Sequence, residues 1–220
     1  MKLKKIASLM LAGVMAVSML AGCQNANVNP EEPTDEPDVV VSDATNMLYS
    51  ELSGSAKARV DAVANADLDE ALANAADKYW DYNSTAKIDR LTEVNWWNAG
   101  KALKSAMGAN FTEFGKYDHN WFDCNCTNFY ANNTSEKSMV KLYVVDASDS
   151  DAYVMEMVAN EIDSAITHLP KATHDDIHDD YVYSYTVSAS IATKTVTFAG
   201  VDMGIKYVAV YMTQTPTENA

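Results

Sequence analysis

Met139-Val140-Lys141-Leu142-Tyr143-Val144-Val145 is apolar at nearly every position and rich in β-branched and aromatic side chains. A strand with one wet face alternates apolar and polar residues, so a run this continuous reads as a central strand. Just after it, Ser148 is expected to cap a helix carrying Val154, Val158, Ile162, Ala165, Ile166 and Leu169 on one stripe, stopped by Pro170. Three strand-like runs follow, Tyr181 to Ile191, Lys194 to Ala199 and Ile205 to Thr213. The short links at Ala192-Thr193 and Gly200 to Gly204 favour antiparallel neighbours.

Upstream of this block the period is helical. Leu68, Ala71, Leu72, Ala75, Ala76 and Tyr79 recur every three or four residues, and Asp67 with Glu70 forms an approximate capping box, which predicts a helix over about 68–82. Residues 43–65 are Ala-rich and read as helical with an interruption at Ser53-Gly54. A further helix is predicted from Arg90 to Met107, ended by Gly108. The expected class is α+β: N-terminal helices, then an antiparallel sheet of about four strands, with the long helix and its companions on one face.

The N-terminal end has a different character. Met1-Lys2-Leu3-Lys4-Lys5 is basic, Ile6 to Leu20 is apolar apart from small residues, and Leu20-Ala21-Gly22-Cys23 closes the run. A basic start, a short apolar stretch and a small-residue exit describe a secretory signal. The stretch is roughly 15 residues, short of the roughly 20 needed to span a bilayer. Leu20-Ala21-Gly22-Cys23 resembles a bacterial lipobox. That resemblance implies cleavage before Cys23, diacylglycerol on its sulfur, and a mature protein anchored at the extracytoplasmic face of the cell membrane. The bland alternative is an ordinary signal peptide with an incidental cysteine.

Residues 23–41 then hold Pro30, Pro33 and Pro37 among Glu31, Glu32, Asp35, Glu36 and Asp38. A segment with so little to bury cannot offset its ordering entropy and is expected to act as an extended tether. The expected organisation is a signal peptide over 1–22, this tether over 23–41, and one globular domain over 42–215. Residues 135–213, with Gly204-Ile205-Lys206-Tyr207-Val208 late in the run, resemble small domains of clostridial lipoproteins. That resemblance implies a Gram-positive cell surface and no particular activity.

The formal charge of the chain is −15, and removal of Lys2, Lys4 and Lys5 takes it to −18. So acidic a surface argues against nucleic acid and against adsorption onto anionic lipid. It suits a solvated extracytoplasmic protein and would also suit cationic ligands or divalent ions.

Three groups of residues are candidates for chemistry, each beside a structural alternative. His168, His174 and His178 lie among Asp175, Asp176, Asp179 and Asp180, and imidazole with carboxylate at such spacing can hold zinc or manganese. An Asp-rich loop is more often simply solvated, and no HExxH occurs, so no cofactor is expected beyond this candidate divalent metal. Cys124 and Cys126, with His119 and Asp123 nearby, could form a tight disulfide or a reactive thiol, against the plainer reading of a structural bridge or two quiet thiols.

Tyr181, Tyr183 and Tyr185 alternate, which puts three rings on one strand face, and Trp96-Trp97 are adjacent, so both cannot face a core squarely. Trp96, Trp97 and Tyr183 are therefore the candidates for stacking a sugar or peptide ligand, against a core role for the same rings. No P-loop, G-x-S-x-G or G-x-G-x-x-G is present. The expected function is a lipid-anchored, non-enzymatic module that binds an envelope polymer or a protein partner. The alternative is a metal- or thiol-dependent envelope enzyme.

Overall fold

The computed structural model describes residues 43–79, 88–108, 129, 133–172 and 180–219. The elements in chain order are α1 (Asp43–Glu51), α2 (Gly54–Lys57), β1 (Asp61–Ala62), α3 (Ala66–Lys78), β2 (Thr92–Glu93), α4 (Asn98–Ala106), β3 (Lys137–Asp146), α5 (Asp151–Thr167), β4 (Tyr181–Phe198) and β5 (Val201–Glu218). They build a mixed α+β fold around one sheet of order β1-β4-β5-β3-β2. Among the described residues no helix is long and apolar enough to cross a membrane.

Three long antiparallel strands carry the sheet. β5 pairs with β4 along its whole length and with β3 from Ile205 to Gln214. Two very short strands close the edges: β2 antiparallel to β3 at Thr92 and Glu93, and β1 parallel to β4 at Asp61 and Ala62. The sheet is therefore five-stranded and mixed, where about four antiparallel strands were expected. Two-residue strands carry no readable periodicity, so β1 and β2 have no signal of their own.

β3 is buried at every position from Ser138 to Val145 because helices cover both faces of the sheet. Side chains alternate along a strand. Met139, Tyr143 and Val145 meet Leu48 of α1 and Val154, Val158 and Ile162 of α5, while Val140, Leu142 and Val144 meet Leu68 and Leu72 of α3 and Leu103 of α4. The expectation of helices on one face is corrected: the domain has three layers, and the unbroken apolar run of β3 is the mark of burial from both sides. Each fully buried Leu, Ile or Val contributes roughly 1.5–3 kcal/mol relative to exposure.

Several element boundaries also differ from expectation. Tyr181–Phe198 is one strand: Ala192 and Thr193 pair with Tyr207 and Lys206 instead of turning. Neither residue favours a positive φ. The reversal is made by Ala199 and Gly200, with φ of 50° and 78°, the pattern of a two-residue type I′ hairpin loop. Gly204 lies within β5, where an added Cβ would come 2.7 Å from the Ala147 Cβ.

The helix predicted from Arg90 begins only at Asn98. Thr92 and Glu93 are spent on β3, and the Asn95 side chain extends that edge by accepting from the Leu142 amide at 2.7 Å. Ser150, not Ser148, caps α5 by accepting from the Tyr153 amide at 3.3 Å; Ser148 instead donates to the Asp146 carboxylate. Asn65, not Asp67, caps α3. The break at Ser53-Gly54 is present, and Ser53 Oγ accepts from Ala56 to start α2.

Candidate binding cleft

The α3/α4 face of the sheet holds an open cleft of about 360 Å³. Its first wall follows from helical spacing. Asp67, Glu70, Ala71 and Asn74 lie three or four residues apart, so they share one side of α3, with Ala71 turned towards the core. Asn65 adds its amide at the helix start, where its Oδ1 accepts from the Leu68 amide at 3.0 Å.

The opposite wall is the C-terminal end of α4, Ala106 and Met107, the latter closing the helix through its amide to the Leu103 carbonyl at 3.0 Å. Tyr211 forms the floor. Its place in β5, between Val140 of β3 and Ser188 of β4, turns its ring to the α3 side. The cleft thus joins two carboxylates and two amides on one side to a thioether and a phenol ring on the other. Its volume falls in the roughly 300–1,000 Å³ range of small-molecule sites, while its lining is mainly polar and it lies open to solvent.

Among the described residues the charged side chains of the walls are both acidic. Asp67 lies in the first turn of α3, where helix amides partly answer its charge. Glu70 lies beyond that turn and is exposed, and among the described residues no cation lines the cleft. The α4 end supplies backbone carbonyls, whose partial charge is negative. Lys104 stands in the last turn of α4 but does not line the cleft.

The candidates read from the sequence are placed elsewhere. Trp96 is 64% exposed and precedes α4, whose opposite end lines the cleft; nine helical residues put roughly 13 Å between the two ends. Trp97 is half-buried against the core cluster formed by α3 and α4. The adjacent pair therefore divides, with Trp96 outward and Trp97 inward, and of the two only Trp96 presents a ring for stacking.

Tyr183 is corrected from ligand candidate to core residue. It is buried, and its hydroxyl donates to the Asn133 carbonyl at 3.1 Å. Tyr185, on the same face, packs edge-on against Phe129, donates to the Pro170 carbonyl at 2.8 Å and accepts from Gln214 Nε2 at 2.8 Å. Gln214 is wholly buried and takes a hydrogen bond from Asn133 at 2.6 Å, which completes a chain of satisfied polar groups. Burial pushes the Tyr185 hydroxyl well above the ordinary tyrosine value, against the opposing hydrogen bond from Gln214. Burial raises Tyr183 as well.

His168 is exposed at the C-cap of α5, and its Nδ1 lies 2.6 Å from the Ser164 carbonyl of its own helix, a local cap. His174, His178, Asp175, Asp176 and Asp179 lie outside the described residues, as do His119, Asp123, Cys124, Cys126 and Cys23. Among the described residues no group of three His, Cys, Asp or Glu side chains could hold a metal ion.

The cleft itself was not singled out by sequence reasoning. The spacing of Asp67, Glu70 and Asn74 is legible as one helix face, but nothing local announces that Met107 and Tyr211 stand across from it. In comparisons with protein-family models, curated proteins and solved structures, nothing matches this chain.

Proposed function

We propose that the chain is an exported, lipid-anchored binding module of the cell envelope, without enzymatic activity of its own, and that it captures its ligand in the cleft between α3 and α4. The carrying observation is the cleft: a preformed concavity of about 360 Å³ that pairs an apolar floor with exposed carboxylate and amide groups. The lipobox-like Leu20-Ala21-Gly22-Cys23 and the proline-rich acidic stretch after it supply an anchor and a spacer. The net negative charge accords with a partner other than nucleic acid.

Two measurements test the reading. Cys23→Ser should release the protein from the membrane fraction of expressing cells; retention in the membrane would remove the anchor. In the mature chain with Cys23→Ser, a fragment and glycan screen read by NMR should perturb the methyl groups of Ala71, Ala106 and Met107. A screen that leaves all three unmoved would remove the cleft as the binding site.

A further inference from the structure

We infer that the outer edge of β4 is a dimer interface: two copies of this chain pair antiparallel along residues 193–197, about a two-fold axis at Thr195, and join their sheets edge to edge. The inference does not depend on the cleft.

β4 turns the backbone groups of alternate residues away from β5, and the fold answers them only part of the way along. The Val187 carbonyl accepts from the Val63 amide at 3.0 Å, and both backbone groups of Ala189 meet the Thr45 hydroxyl. The same alternation points the amides and carbonyls of Thr193, Thr195 and Thr197 outward. Among the described residues no backbone group meets them, and all three threonines are exposed.

Open edges are normally blunted by proline, by charge or by a bulge. Residues 191–198 contain no proline and no acid, and they pair one to one with β5 as far as the hairpin, so no bulge bends them away. Their one charged side chain, Lys194, alternates onto the α3 side and donates to the Asp77 carbonyl. β3 pairs with β5 only as far as Ile205, so β4 beyond Lys194 continues past the end of β3.

A row of alternating donors and acceptors selects an extended polypeptide, and the sequence selects a second copy. Antiparallel pairing about Thr195 sets Thr193 opposite Thr197, Thr195 opposite its twin, and Lys194 opposite Val196. Thr–Thr is a favourable cross-strand pair, and like charges directly opposite are not. An axis at Lys194 would bring the two lysines face to face, so charge fixes the register. In a chain of net charge −15, residues 191–198 bring no carboxylate to the contact. The three outward threonines of each copy supply about six hydrogen bonds. Both copies use the same edge, so the pairing closes at two.

Sedimentation equilibrium tests this on the mature Cys23→Ser chain, in reductant so that Cys124 and Cys126 cannot link chains. The average mass should rise from monomer to dimer with concentration, and amide hydrogen exchange at Thr193, Thr195 and Thr197 should slow in step. Thr195→Pro removes an outward amide and leaves the bonds to β5, so it should weaken the dimer at least about tenfold. Thr195→Lys sets like charges at the axis and should weaken it up to about fivefold, less at raised salt. Thr195→Val, with its backbone groups unchanged, should still dimerise.

A mass that stays monomeric up to about 1 mM, the order of effective concentration between tethered modules, overturns the inference. So does slow exchange of the three amides in the dilute monomer, which would mean that the edge is covered within one chain. A dimer that survives Thr195→Pro with the same exchange pattern places the contact elsewhere, and species larger than a dimer overturn the two-fold closure. If far-ultraviolet circular dichroism shows Thr195→Pro to be unfolded, Thr195→Lys decides alone, because its side chain stands at an exposed position.

Discussion

The Thr45 hydroxyl donates to the carbonyl of Ala189 at 3.1 Å and accepts from the amide of the same residue at 2.9 Å. A helix side chain thereby stands where a neighbouring strand would. β1 pairs with β4 only opposite Thr186 and Val187, and the next outward-facing backbone pair of β4 belongs to Ala189. Buried backbone groups must find partners, and here one hydroxyl satisfies both.

Thr45→Val tests that relationship, because it keeps the shape and deletes the hydroxyl. Two buried backbone groups at roughly 1–3 kcal/mol each predict a loss of about 2–6 kcal/mol. Thr45→Ser retains the hydroxyl and should lose less than half as much. Urea unfolding with an unchanged m-value would measure both. A Val variant as stable as the parent would mean that water or another group takes over at Ala189.

Gly100 bears on how α4 seats against β2. An added Cβ would lie 2.5 Å from the Asn95 carbonyl oxygen and 2.9 Å from that of Val94. Both neighbours are backbone, and Asn95 is held by the Leu142 amide, so neither can yield easily. Gly100→Ala is expected to cost about 1–3 kcal/mol through overpacking. Gly54, with nothing within 4 Å of the same construction, provides the contrast. Gly54→Ala should be neutral or stabilising by up to about 1 kcal/mol. Similar effects at the two positions would rule out a packing origin.

The division of the tryptophan pair makes a third prediction. Trp96→Ala should change stability by no more than about 0.5 kcal/mol, as exposed substitutions do. Trp97→Ala, removing a half-buried ring from the α3/α4 cluster, should cost about 2 kcal/mol, below the roughly 3–5 kcal/mol of a fully buried aromatic. Thermal unfolding of the two variants decides the matter, and the reverse order would place the wrong ring in the core.

How far these features were legible in the sequence depends on whether their cause is local. β3 and α5 were readable because each repeats its period over many residues: Met139 to Val145 without a polar break beyond Lys141, and Val154 to Ile166 on one helical stripe. The second helical layer was implicit in that same unbroken run, since a strand wet on one face would alternate. β1 and β2 were invisible, being two residues each and defined only by their neighbours. The hairpin reversal was misplaced because Ala199 takes a positive φ that alanine does not advertise. Trp96 and Trp97 could be recognised as unequal, but which faces inward depends on where α4 begins. The cleft has the same limit: its acidic wall follows from the α3 sequence, while its floor at Tyr211 depends on a register with Val140 and Ser188 far along the chain.

That buried register gives the last prediction, at alkaline pH. Tyr185 is held in the neutral form, chiefly by burial, so its folded-state pKa lies above the value of about 10 found in an unfolded chain. Below pH of about 10 both states carry the proton, and the group contributes nothing to the pH dependence. Above it the unfolded chain releases the proton first, so stability falls as pH rises, by up to about 1.4 kcal/mol per pH unit for one such group. Tyr183 is shifted in the same direction and should add to the slope. Tyr185→Phe should start less stable at neutral pH, because Gln214 Nε2 loses its acceptor and the Pro170 carbonyl its donor, yet decline less steeply above pH of about 10. Urea midpoints for the parent and the Phe variant between about pH 8 and 11 provide the comparison. Parallel curves would show that the alkaline instability arises elsewhere, and that the Tyr185 hydroxyl is not the group whose ionisation the fold resists.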